Sequence, residues 1–215
     1  MLLTMKHLVI RLLLLSSALS PLVADAGSPV IVPATEAVAG RSQLDWSHAW
    51  WQWAHSFDRA ESPVADKQGS RCHLKQEGAV WFLAGTYGTK RTIRTCTVPA
   101  GKYLFFPLIN YVIYPREGYP LTCDQARKRS ADLTDDPSAL VLEIDGTIYE
   151  HLRVHRQSTR KCFDLAAPAG GGLAPAAADG YYIMLRPLRR GTHTINFGGI
   201  LPGMAQAVTY TLHVE

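Results

Sequence analysis

Four tryptophans fall within eight residues of this chain, and that run is the first candidate for chemistry. Trp46, Trp50, Trp53 and Phe57 recur at i, i+4, i+7 and i+11, one face of a 3.6-residue period, with Trp51 beside the stripe. Two roles suit such a stripe. It can clamp a helix onto a sheet, since each indole buries roughly 150–250 Å2 when packed. It can also present an aromatic platform to a sugar or another flat apolar ligand, with Trp51 and Trp46 partly exposed. Trp46, Trp50, Trp51 and the more distant Trp81 are therefore ligand-binding candidates.

Histidines form the second set. His151, Arg153 and His155 alternate, so a strand over 147–155 would place both imidazoles on one face. A shared face raises metal ligation, but no third ligand lies near and Glu150 would face the other way. His151 and His155 are carried as ligand-binding candidates, with no metal and no cofactor expected. His193 and His213 fall in the closing strands, while His48 and His55 share one side of the Trp helix and read as surface residues. No G-x-S-x-G turn offers a serine nucleophile. Asp58, Glu61, Asp66, Glu77 and Asp124 supply enough acid for a two-carboxylate hydrolase, whose pair stands ~5–9.5 Å apart in the fold. Gly170-Gly171-Gly172 does not follow a strand and open a helix, so it does not read as a phosphate cradle.

The elements that must position these residues follow from the pattern. A helix capped by Ser42 or Asp45 runs to about Phe57, with Ser47, Gln52 and His55 opposite the stripe and Pro63 beyond its end. From Gly78 onward the period shortens. Residues 79–86, 92–98 and 103–109 read as strands, 122–133 as a short helix or surface loop, and 139–145 with 147–155 as a hairpin about Asp145-Gly146. The low-complexity run 166–180 reads as a loop, and 181–188, 192–197 and 207–214 as three closing strands. Short strands without strand–helix alternation predict a mainly β fold. The expectation is an antiparallel β-sandwich, jelly-roll or Ig-like, with one N-terminal Trp-rich helix.

Lys6 and Arg11, the apolar run 12–24 and Ala24-Asp25-Ala26 form a secretory signal peptide over 1–26, cut before Gly27. Its apolar run is shorter than the ~20 residues of a spanning helix, so no transmembrane segment is expected after cleavage. Residues 27–42 read as an extended arm and 43–215 as a single domain. Removing 26 of the 215 residues leaves 189, enough for a real core. The charge falls from +4 to +3 because Lys6, Arg11 and Asp25 leave together. So small an excess does not argue for nucleic acid, and Arg127-Lys128-Arg129 and Arg189-Arg190 read as solvated faces. Cys72, Cys96, Cys123 and Cys162 allow three pairings; the shorter loops favour Cys72–Cys96 with Cys123–Cys162. No C-x2-C spacing suggests zinc, and the leader implies an oxidising compartment.

Trp50-Trp51-Gln52-Trp53, then Asp66, Gly69 and Cys72, then Gln76-x-Gly78-x-Val80-Trp81-Phe82-Leu83-Ala84-Gly85 form a motif series. It continues in Cys96-Thr97-Val98-Pro99-Ala100-Gly101-Lys102, Phe105-Phe106-Pro107 and Gly191-Thr192-His193-Thr194-Ile195. In these motifs the chain resembles a family of uncharacterised exported bacterial proteins, over most of its length beyond the leader. The resemblance implies a secreted domain with a Cys72–Cys96 bridge and nothing about catalytic residues. Lys75 and Glu77 depart from it, standing where small residues are usual. The expectation is a non-catalytic exported domain, periplasmic or extracellular, that binds a glycan, an envelope component or a partner protein. The alternatives are a two-carboxylate hydrolase of envelope or extracellular polymers and a purely structural envelope protein.

Overall fold

Thr92–Val98 shows how sequence becomes sheet here. Arg94, Cys96 and Val98 point inward and are buried, while Ile93, Thr95 and Thr97 face out. In a computed structural model that describes residues 30–87, 91–167 and 171–215, this segment is the second of nine strands. The order is α1 (Gln43–His55), β1 (Val80–Phe82), β2 (Thr92–Val98), β3 (Tyr103–Ile113), α2 (Cys123–Thr134), β4 (Ala139–Ile144) and β5 (Thr147–Ile148). A 3-10 turn (Leu152–His155) then leads to β6 (Arg156–Ser158), β7 (Ala177–Leu185), β8 (Gly191–Leu201) and β9 (Met204–Val214). The leader over 1–26 and the first residues of the arm lie outside the described residues.

The strands make two sheets, ordered β1-β3-β7-β6 and β2-β9-β8-β4-β5. Both are mixed, which corrects the antiparallel expectation: β1 runs parallel to β3 and β2 parallel to β9. The sheets face each other across one core, where the rings of Phe106 and Phe197 stand 4.5 Å apart. Alternate residues of β3 and β7 point the other way. Phe105, Tyr182 and Met184 pack there against Trp46, Trp50 and Trp53 of α1. The four-stranded sheet is thus covered on both faces, which explains why β3 reads as the near-continuous apolar run YLFFPLI. Ser42 caps α1 by accepting from the Asp45 amide, and the helix ends at His55 rather than Phe57. The arm lies along β7, with the Val32 amide donating to Met184 O.

Three other segments depart from expectation for physical reasons. Residues 177–180, read as loop, form the first part of β7, and every residue of that strand is buried. A Cβ at Gly180 would come within 2.5 Å of Asn110, so small side chains there answer a close approach of strands and not a need for flexibility. The Asp145-Gly146 turn forms with φ of 50° and 81°, yet β5 stops after Ile148. Beyond it the chain must cross from the five-stranded to the four-stranded sheet, so residues 149–155 turn through His151 (φ 57°) and drive Leu152 into the core. β1 is also shorter than expected because the Ala84 and Gly85 carbonyls are taken by Arg94. The 122–133 segment is a helix, α2, with a capping box between Thr122 and Gln125.

Both disulfides, Cys72–Cys96 and Cys123–Cys162, are formed. Among the described residues no helix is long and apolar enough to cross a membrane. Trp50 is 2 % exposed and its Nε1–H donates to Leu83 O at 3.0 Å. Trp50→Ala or Trp53→Ala should therefore cost about 3–5 kcal/mol, read as a lower urea midpoint. Wild-type midpoints in both variants would contradict this packing.

Candidate functional site

The five indoles part company in the fold. Trp46, Trp50, Trp53 and Trp81 are buried, and the first three donate their Nε1–H groups to the carbonyls of Val38, Leu83 and Leu74. Of the candidates Trp46, Trp50, Trp51 and Trp81, only Trp51 keeps part of its ring open. Its Nε1–H donates to the Tyr182 hydroxyl at 2.9 Å, and the same oxygen accepts from Asn110 Nδ2 at 3.1 Å. Trp50 meets it edge-on at 5.1 Å. Burial raises the Tyr182 hydroxyl well above its ordinary pKa, so it stays protonated and neutral between these donors. Trp51 is held in one orientation before any ligand arrives.

Trp51 forms one wall of a cleft of about 480 Å3. Tyr111 and Tyr114, from β3 and its extension, line the same space with His55, Phe57, Arg59, Tyr87 and Arg116. Tyr114 is met by the His55 ring at 5.9 Å and by the Arg116 guanidinium at 5.6 Å. The Arg59 guanidinium lies 4.2 Å from the Tyr87 ring centre. Arg59 and Tyr87 also line a second cavity of about 840 Å3, with Val64, Asp66, Lys67, Thr86, Arg91 and Ile93. The two cavities therefore adjoin in one groove.

Arg94 builds the floor of this groove from beneath. Its guanidinium, 1 % exposed, donates to the carbonyls of Asp66, Ala84, Gly85 and Val64 at 2.7, 2.6, 2.8 and 3.1 Å. The wall at 66–72 is set by the same logic. Asp66 accepts from the amides of Gln68 and Arg71 through separate oxygens, and from the Ser70 hydroxyl. Burial alone would raise this carboxyl, but those amides, that of Gly69 and the Arg94 charge hold it below its usual range. At Gly69 (φ 91°) a Cβ would lie 2.3 Å from Thr95 O, so only glycine lets the wall pair with β2. The Asp66, Gly69, Cys72 spacing thus has a structural cause.

The histidine candidates do not converge. His151 is exposed at a left-handed turn and His155 is buried at the end of the 3-10 turn, so no shared strand face joins them. His55 is exposed as expected, but His48 is half-buried. It stacks on Phe163 at 4.1 Å and its Nε2 bonds the Thr159 hydroxyl at 2.9 Å. The acids are likewise dispersed: Glu61 pairs with Arg71, Asp124 with Arg127, and Asp66 is filled by amides. Arg59, Tyr87, Tyr111, Tyr114, Arg116 and Arg94 were not among the sequence candidates. Only Arg94 carried a signal, standing in register with Cys96 and Val98 on the inward face of β2. Compared with known protein families, characterised proteins and solved structures, the chain has no match.

Burial lowers the His48 pKa to about 4, outweighing the opposing pull of Asp45. Between the ordinary value of 6.5 and about 4, the unfolded chain binds a proton that the folded chain refuses. Stability therefore falls as pH drops through that window, by up to about 3 kcal/mol from this group. His193 runs the other way. Burial disfavours its charge, but Asp145 and Arg189 O more than compensate and raise its pKa. Its stabilisation is complete below 6.5 and is lost as pH rises through the raised value. Urea unfolding of wild type and His48→Gln at neutral pH and near pH 4.5 isolates the first effect. The wild-type advantage should shrink on acidification; a constant gap would contradict a buried, neutral His48.

Proposed function

We propose that this protein is an exported, non-catalytic binding module that takes the ring face of a sugar, from an envelope or extracellular glycan, in the Trp51 cleft. The observation that carries it is the partly exposed Trp51 indole, held by Tyr182 in a cleft that Tyr111, Tyr114 and Phe57 also line. Sugar C–H groups meet the negative face of such rings, and a pre-set ring spares the ligand the cost of ordering it. The leader over 1–26 and the two disulfides support an oxidising compartment outside the cytoplasm. So does the resemblance to an exported bacterial family. The scaffold reads as a sandwich of two facing mixed sheets, which leaves the cleft at the edge of the helix-covered face.

Neither alternative gains a specific observation. A purely structural protein would bury every indole, and Trp51 is left partly exposed. A two-carboxylate hydrolase needs free acids in the groove, yet Asp66, the acid that borders it, spends both oxygens on main-chain amides. Titrating a panel of oligosaccharides while following tryptophan emission tests the proposal, because four of the five indoles are shielded. A binding glycan should shift the emission saturably. Trp51→Ala should weaken binding about tenfold or more, the equivalent of roughly 1.4 kcal/mol. Unchanged affinity in Trp51→Ala, or turnover that a single Asp or Glu substitution abolishes, would refute it.

A further inference from the structure

The groove is wider than the Trp51 cleft and its charge is one-sided. Arg116 stands at the cleft end, Arg59 where the two cavities meet, and Lys67 and Arg91 along the larger cavity. Among the described residues, none of these four cations is ion-paired with a carboxylate. The one acid on the lining, Asp66, is turned into its own backbone. Among the described residues the groove therefore sets four cations without an ion pair against the single carboxylate of Asp66, whereas Arg71, Arg127, Lys128, Arg153, Arg156 and Arg186 all have acidic partners.

The chemistry of the cations narrows the ligand. Three are arginines, whose planar forks match a carboxylate with two parallel hydrogen bonds. The Arg59 and Arg116 guanidiniums lie 4.2 and 5.6 Å from the Tyr87 and Tyr114 ring centres, and among the described residues neither makes a side-chain hydrogen bond. Arg91 is held by Thr209 Oγ1 through Nε and Nη2, which leaves Nη1 free. Arg59, Lys67 and Arg91 line the larger cavity together, and Arg116 stands in the adjoining cleft. Four cations along one groove suit a chain that carries repeated negative charge. The aromatic walls at the cleft end suit sugar rings, and the small net charge of the chain disfavours a nucleic acid.

We infer that the joined groove from Trp51 to Arg91 binds an acidic polysaccharide of the uronate class, with sugar faces on the aromatic wall and carboxylates on Arg59, Arg91 and Arg116. This rests on the Trp51 cleft being the glycan site. Long-range attraction across such a groove is screened by salt, so the preference for acidic over neutral chains should itself depend on salt.

The test compares an oligogalacturonate with a neutral glucan of equal length, both titrated against the leaderless chain under tryptophan emission. At low salt the oligogalacturonate should bind about tenfold tighter, and the advantage should vanish at high salt. Arg59→Gln with Arg91→Gln should erase most of that advantage, whereas Trp51→Ala weakens the binding of both glycans and leaves their ratio standing. The urea midpoint of the double variant checks its folding; were it unfolded, the salt comparison on wild type alone decides. Equal binding of both glycans at low salt overturns the acidic class while leaving the Trp51 cleft standing. Oligogalacturonate binding indifferent to the arginines, or a single-stranded oligonucleotide binding tighter, also overturns it. No binding of either glycan removes both readings.

Discussion

A fully buried guanidinium holds the groove side of this protein together. Arg94 has no carboxylate at hydrogen-bonding distance; it is satisfied by four backbone carbonyls and, at 3.1 Å, the Tyr210 hydroxyl. A charge removed from water is tolerated only when its donors are used, so the carbonyls must converge on it. Two come from the 64–66 segment and two from the chain leaving β1. Arg94 thereby ties an irregular wall to a strand end, in the place where regular pairing stops. The Cys72–Cys96 bridge, the Gly69–Thr95 approach and the Gln68 O to Thr95 amide bond secure the same wall from its other end. Gln206 adds a further tie, accepting from the Thr86 amide and donating to the carbonyls of Pro107 and Leu108.

The opposite half of the site depends on burial. With the four-stranded sheet covered on both faces, α1 has one place to dock, and its stripe of indoles sets the angle. Trp51, one step off that stripe, is left at the boundary between core and cleft. Its bond to Tyr182 connects it to a hydroxyl in the middle of the sheet, so the most open indole is also anchored. The groove therefore joins a wall pinned by charge to a wall pinned by packing, with Arg59 and Tyr87 at the seam.

Much of this architecture is legible in the residues. The period of α1, the alternation of β2, the closing strands and both disulfide pairs follow from spacing and turn chemistry. What failed did so where tertiary contact overrides local pattern. Ala177–Gly180 looks like a loop because close strand packing and flexibility both select small residues. Residues 147–155 alternate like a strand but must carry the chain between sheets, and Arg156 is drawn to the buried Asp179 and to Asp135 immediately afterwards. The site was half legible. Trp51 could be picked out beside the stripe, whereas Arg59, Arg116 and the tyrosines come together only through the meeting of α1, β3 and the loop after α1.

Amide hydrogen exchange on Arg94→Lys probes the buried clamp directly, since lysine keeps the charge and loses the fork. If Arg94 organises the groove floor, the amides of Ala84, Thr86 and Thr95 should exchange faster while those shared by β8 and β9 keep their protection. Protection unchanged at Ala84, Thr86 and Thr95, or lost equally throughout both sheets, would contradict a clamp that acts on the groove.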